Sequence, residues 1–156
     1  MPRKTLITAV VAVLAALALA PSAAAEKPII EPAPFGTFTG QYCEDFMVRV
    51  SETTNRGMAK IFSDGSVIIT GTLKVDVTNV ETGKTISLNI SGPAMFSSDG
   101  STLVGVGGWL FFGEAGFLGR DGPTLETSSG RFVIDLSDVT FVSRTGSVQE
   151  LCSLLA

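Results

Sequence analysis

The sequence predicts an all-β domain: an antiparallel up-and-down barrel of about eight strands, or else a two-sheet sandwich, with a short C-terminal helix. Three observations carry this. Apolar and polar residues alternate in the clearest segments, where helical spacing of three and four is absent. Eight short runs recur at spacings of about 8 to 12 residues, separated by turn signals. Most links between runs are short enough to be hairpins, which favours the barrel over the sandwich.

The chain opens with Arg3 and Lys4, and then Leu6 to Ala20 runs with Thr8 as its only polar side chain. That stretch is shorter than the roughly 20 residues a membrane helix needs. Small residues at Ala23 and Ala25 precede the charged pair Glu26-Lys27, so residues 1–25 read as a secretory signal cleaved before Glu26. An uncleaved anchor is the rival reading. No cysteine lies near the cleavage point, which argues against a lipid anchor. Residues 26–34 hold three prolines and predict an extended leader, with order beginning near Phe35.

The first predicted strand covers 42–51, where Phe46, Val48 and Val50 alternate with Met47 and Arg49. A second lies at 58–62 and a third at 66–78, bent at Gly71. Within the third, Leu73, Val75 and Val77 point one way and Thr72, Lys74, Asp76 and Thr78 the other. Across Glu81-Thr82-Gly83-Lys84, the strand 85–91 repeats the pattern with Ile86, Leu88 and Ile90, giving a hairpin with one dry and one wet face. Strands at 101–112, 124–127, 131–136 and 139–144 follow. Asp64-Gly65 and Asp99-Gly100 mark tight turns, since both residue types tolerate a positive φ; Ser129-Gly130 and Thr145-Gly146 mark weaker ones. At the end, Ser147 and Glu150 form a capping box ahead of an apolar stripe of Val148, Leu151, Cys152, Leu154 and Leu155, which predicts a turn or two of helix. Residues 35–156 thus read as one β domain.

Composition excludes more than it assigns. The chain contains no histidine, which removes the Ser-His-Asp triad, the Cys-His pair and histidine-ligated zinc together. All 15 acids lie in residues 26–156 against nine of the 11 Lys and Arg, a net charge of −6 for the cleaved chain. Scattered bases on so acidic a chain bind nucleic acid or anionic membrane poorly. Cys43 and Cys152 are the only cysteines; in an oxidising compartment they predict one disulfide.

Gly105 to Gly119 holds the single Trp, three of the ten Phe and six of the 17 Gly. Trp109, Phe111, Phe112 and Phe117 are therefore the candidate ligand-binding residues, as a mobile aromatic loop beside a cleft. The competing reading is a bent core strand whose glycines admit bulky neighbours. Leu110 occupies the third-glycine position of a dinucleotide fingerprint, so that motif is absent. Glu44, Asp45, Glu114, Glu126, Asp135 and Asp138 are the acids flanking apolar runs; a glycan hydrolase would need two of them facing one another. No Gly-x-Ser-x-Gly or Ser-x-x-Lys motif is present. Asp64, Asp99 and Asp121 each precede glycine, which spells turns rather than a calcium loop, so neither metal nor cofactor is expected.

The Ala-rich signal occurs together with Phe35-Gly36 and Cys43, Val77-Thr78-Asn79, Thr82-Gly83-Lys84, Ser91-Gly92-Pro93, Gly130-Arg131 and Cys152. In this combination the chain resembles uncharacterised small secreted proteins of high-GC Gram-positive bacteria, over most of residues 35–155. The resemblance implies export and a disulfide-bonded β domain, and transfers no functional residue. The expected function is non-catalytic binding of a small apolar ligand, a glycan or a protein, outside the cell and without a membrane anchor once the signal is removed. A carboxylate-dependent extracellular enzyme, such as a glycan hydrolase, is the alternative; a secreted inhibitor or structural surface protein is the third.

Overall fold

The computed structural model describes residues 26–156, and the predicted signal at 1–25 lies outside the described residues. Seven long strands run up and down, each bent once, so that each appears as two shorter ones. They are β1 (Ile29–Pro32) with β2 (Thr37–Gly40), β3 (Val48–Asn55) with β4 (Met58–Ile61), and β5 (Val67–Thr70) with β6 (Leu73–Asn79). Next come β7 (Thr85–Asn89) with β8 (Ala94–Phe96), and β9 (Thr102–Val106) with β10 (Trp109–Gly113). The last two are β11 (Thr124–Ser128) with β12 (Arg131–Asp135), and β13 (Thr140–Arg144) with β14 (Val148–Glu150). A short helix, α1 (Cys152–Leu155), ends the chain.

One set of halves forms a seven-stranded sheet in the order β1-β4-β5-β8-β9-β12-β13. The other halves part into a four-stranded sheet, β2-β3-β6-β7, and a three-stranded sheet, β10-β11-β14. Every pairing is antiparallel and joins neighbours in the meander. The up-and-down connectivity is the expected one, but no ladder among the described residues closes into a barrel.

The bends are the reason. Gly71 sits at φ 134°, where a Cβ would strike the carbonyl of Arg56, and it splits the predicted run 66–78 into β5 and β6 in different sheets. Gly107, at φ 86°, does the same to 101–112. Hydrogen bonds run across the fold line: Arg56 N to Thr72 O at 2.7 Å, Gly92 N to Gly108 O at 3.1 Å, Gly107 N to Gly130 O at 2.8 Å and Ser129 N to Ser147 O at 2.9 Å. The strands therefore stay in register while changing direction.

Other predicted boundaries move for local reasons. Residues 41–47 are not strand but the link into β3, held by the Gln41 amide donating to the carbonyls of Cys43 at 2.6 Å and Glu44 at 2.9 Å. Sheet structure begins at Ile29, ahead of the predicted onset near Phe35, because the extended leader pairs with β4. Ala33 N donates to Gly57 O, so antiparallel alternation turns positions 28, 30, 32 and 34 toward the free edge. Three of those four are proline, which lacks the amide that an outer neighbour would need. The capping box also fails: Ser147 faces Ser129, hydroxyl to hydroxyl at 2.7 Å, and residues 148–150 are strand. The Glu150 carboxylate instead accepts from the amides of Cys152 and Ser153 at the start of α1.

β10 and β11 of the three-stranded sheet are covered on both faces, which accounts for the unbroken apolar run of β10, while its edge strand β14 is exposed. Leu110 and Leu125 join Val48, Val50, Val75 and Val77 in one cluster, sealed by Leu151 and Leu155 from the C-terminal segment. Phe111 on the opposite face packs with Phe132, Ile134 and Leu118 against the seven-stranded sheet. The predicted disulfide joins Cys43 to Cys152, with Cα atoms 5.7 Å apart, and ties the segment after β14 to the link before β3.

Three hairpins of the seven-stranded sheet end in the same pattern: Ser63-Asp64-Gly65-Ser66, Ser98-Asp99-Gly100-Ser101 and Ser137-Asp138-Val139-Thr140. In each, the aspartate accepts a hydrogen bond from the hydroxyl two residues on, at 2.7, 2.8 and 2.6 Å. Gly65 and Gly100 take positive φ there, and Val139 adopts it too, at 54°.

Candidate functional site

Where the bends of the first five long strands converge, they enclose an apolar cavity of about 220 Å³. Phe35 contributes from the first bend, Ile69 and Leu73 from either side of Gly71, Ile90 and Ala94 from the fourth strand, and Trp109 from the fifth. The local reason is the same at each wall: a strand that changes sheets leaves its bend unpaired by side chains from across the sheet. Glycine at 57, 71 and 92 widens the space that remains.

Apart from the exposed Thr70 hydroxyl, the polar side chains around the cavity are committed to the frame. Asn55 donates to Ala33 O at 2.8 Å and accepts from Gly57 N at 2.8 Å, which pins two bends together. The Ser91 hydroxyl accepts from Leu73 N at 2.9 Å. Trp109 Nε1 donates to Val106 O at 3.2 Å. The Trp109 ring is held edge-on against Phe132, with centroids 5.0 Å apart, and stacked 6.4 Å from Phe111. Gly105 makes this possible, because a Cβ there would run into the rings of both Phe132 and Trp109.

The four predicted aromatics do not share one site. Trp109 lines the cavity. Phe111 is buried in the cluster facing the seven-stranded sheet. Phe112, on the other face of β10, meets Phe35, Phe38 and Tyr42 at centroid distances of 5.1 to 6.4 Å. Phe117 lies over Gly113, where any side chain would collide with its ring. The segment runs largely as a bent strand packed in the core, and Trp109 is the one of these four aromatics that reaches the cavity, beside Leu110. The other lining residues were missed by sequence reasoning; the signal that locates them is glycine interrupting an alternating run, as at Gly71.

The acids are placed apart from this cavity, and none lines it. Glu126 is buried and takes Arg144 at 2.6 Å and Arg120 at 3.0 Å. Asp135 and Asp138 are engaged by Ser137 and Thr140 in the third hairpin turn. Glu44 and Asp45 border a separate depression beside the disulfide with Glu150, whose carboxylate is spent on α1. Burial, and then the Glu114 carboxylate, push the Tyr42 phenol above its ordinary value. Among the described residues, no three Asp, Glu or Cys side chains group in a way that would hold a metal ion. No helix among the described residues is long and apolar enough to cross a membrane.

Compared with family models, curated proteins and solved structures, the chain shows no match, so the reading of its site rests on its own geometry.

Proposed function

We infer that this is an exported, sandwich-like β domain that binds a small apolar ligand in the cavity beside Trp109, without catalysis. The observation that carries the reading is the cavity's lining, overwhelmingly aliphatic and aromatic, with the side chains of Asn55, Ser91 and Trp109 bonded within the protein. A pocket whose one uncommitted side-chain polar group is the exposed Thr70 hydroxyl at its rim discriminates mainly by size and shape, and favours a hydrocarbon group over a sugar. Cavities of about 150 Å³ accept benzene, so this one suits a bicyclic ring or a short acyl group. Export is supported by the apolar N-terminal segment, by the disulfide and by the resemblance to small secreted bacterial proteins.

The test uses the single tryptophan. A neutral phenylnaphthylamine probe titrated into the disulfide-intact protein should quench Trp109 emission saturably at one site per chain. Ala33→Phe, which fills the half-open rim, should abolish that binding while leaving the fold and the Trp109 spectrum of the free protein unchanged. Non-saturable binding, or equal affinity in the filled variant, overturns the reading.

A further inference from the structure

The strand registers set Ile30, Lys60, Ile68, Met95, Val104 and Val133 in one continuous row across the seven-stranded sheet. Their chain neighbours Ala59, Ile69, Ala94 and Phe132 point into the cavity and core, so alternation sends the row outward. It is apolar except for Lys60. Ile30 is 57% exposed and Met95 43%, and Val142, bulged out of β13 at the far edge, is 66% exposed. A contiguous apolar band of this kind, unlike scattered single residues, is often a contact surface.

We propose that this face is a self-association surface, on which a second copy of the chain stacks sheet against sheet about a two-fold axis. Seven strands about 4.8 Å apart and three to five residues long present about 500 Å², so two copies bury about 1,000 Å², the size of a weak, reversible interface. The sheet is suited to such an axis: β8 is its central strand, with three strands on either side. An axis along β8 sets Met95 against Met95 and lays β4 over the second copy's β12. Lys60 then lies opposite Val133, within a long side chain's reach of Asp135 two residues on, with Arg131 on the same outward face two residues the other way. Asp135 is the one acid among the outward-facing strand residues, on a chain whose cleaved form carries −6. With Lys60 and Arg131 beside Asp135, this face carries none of the chain's acidic excess. Sideways growth of the sheet is disfavoured by prolines along β1 and the bulge in β13, which leaves face-to-face stacking. The cavity lies on the inner side of the same strands, so the inference stands independently of ligand binding there.

Sedimentation of the purified, disulfide-intact protein over a wide concentration range tests it. A reversible monomer–dimer equilibrium is expected. Met95→Lys, which sets two ammonium groups against each other at the axis, should weaken dimerisation at least tenfold with an unchanged melting temperature, whereas Val80→Lys, in the β6–β7 turn outside this face, should dimerise as the parent does. Met95→Cys should cross-link to itself on mild oxidation. A parent that stays monomeric at every concentration, or a Met95→Lys protein that dimerises normally, overturns the proposal and leaves the face to some other protein.

Discussion

Arg144 reaches Glu126 across the space between two sheets, with Nη1 2.6 Å from Oε1, and it does so because of a bulge. Ile134 pairs with Phe141 and Phe132 with Arg144, so the extra residue in β13 lets Phe141 and Arg144, three apart, share the inner face. The guanidinium then lies 4.8 Å from the Phe141 ring centroid and 5.2 Å from that of Phe111. Both charges are largely desolvated; Arg144 has Glu126 as its one carboxylate, while Glu126 also takes Arg120.

Removing one partner should therefore cost more than removing both. Arg144→Met is expected to destabilise by about 2 kcal/mol, since it leaves the buried carboxylate with the half-exposed Arg120 as its one cationic partner. Glu126→Leu combined with Arg144→Met should recover most of that loss, because Arg120 is half exposed and returns to water. Urea denaturation of the two single variants and the double variant reads the coupling directly. Additive losses would show that the pair contributes only as independent side chains.

Val139 is the mismatch among the three Ser-Asp turns, a β-branched residue at φ 54° where the other two turns place glycine. Left-handed backbone costs a non-glycine residue about 1–2 kcal/mol, and glycine returns part of that gain as unfolded-state entropy. Val139→Gly should stabilise by about 1 kcal/mol, a rise of about 4 °C in melting temperature. An unchanged or lower melting point would mean that the half-exposed valine contributes packing that offsets its strain.

The Ser97 hydroxyl, and then the amide and hydroxyl of Ser101, hold the Asp99 carboxyl at about 2, below its ordinary 3.8. A carboxyl lowered by folding contributes stability above its unfolded value, and that contribution is lost as pH falls from 3.8 toward about 2. Asp99→Asn should therefore make the acid decline in melting temperature shallower over that window. Asp64 and Asp135, lowered in the same direction by Ser66 and Ser137, should preserve the rest of the slope. Identical acid profiles for parent and variant would count against the hydrogen bonds.

The Cys43–Cys152 bond closes a loop of 109 positions. Reduction should destabilise the domain by about 2–4 kcal/mol, and should first loosen the segment that carries the buried Leu151 and Leu155. Hydrogen exchange of reduced against oxidised protein should show the largest loss of protection in residues 148–156. Equal protection in both states would place the stability of the tail in its leucines alone.

Much of the meander was legible because hairpins write themselves locally. The alternation of Leu73, Val75 and Val77 with their polar neighbours gave one hairpin, and Asp64-Gly65 and Asp99-Gly100 gave two turns. The bend at Gly71 was legible, but not the passage of the strand from one sheet to another, since Gly71 and Gly107 interrupt a strand without altering its alternation and only packing decides whether the sheet follows round the corner. Residues 29–32 read as a leader because proline argues against a central strand, while an edge strand tolerates it on its outer side. Glu126 was legible only as one of the acids flanking an apolar run: its partner Arg144 depends on a bulge that no periodicity announces. Of the candidate site, Trp109 was legible from aromatic density, and the rest of the cavity belongs to strands far apart in sequence.

The strictly sequential pairing of the seven long strands has a kinetic consequence. All-β domains fold slowly when their pairings join distant parts of the chain, because long loops must close before any contact rewards them. Here each strand is laid down beside the one just before it, so the sheet zips hairpin by hairpin from either end or from the middle. The contacts that span most of the chain, Asn79 to the Leu155 carbonyl and Cys43 to Cys152, belong to the tail. Docking of residues 148–156 is then the last and slowest event, and a refolding intermediate with a complete meander and an unfastened tail should be the species that accumulates when the thiols are kept reduced.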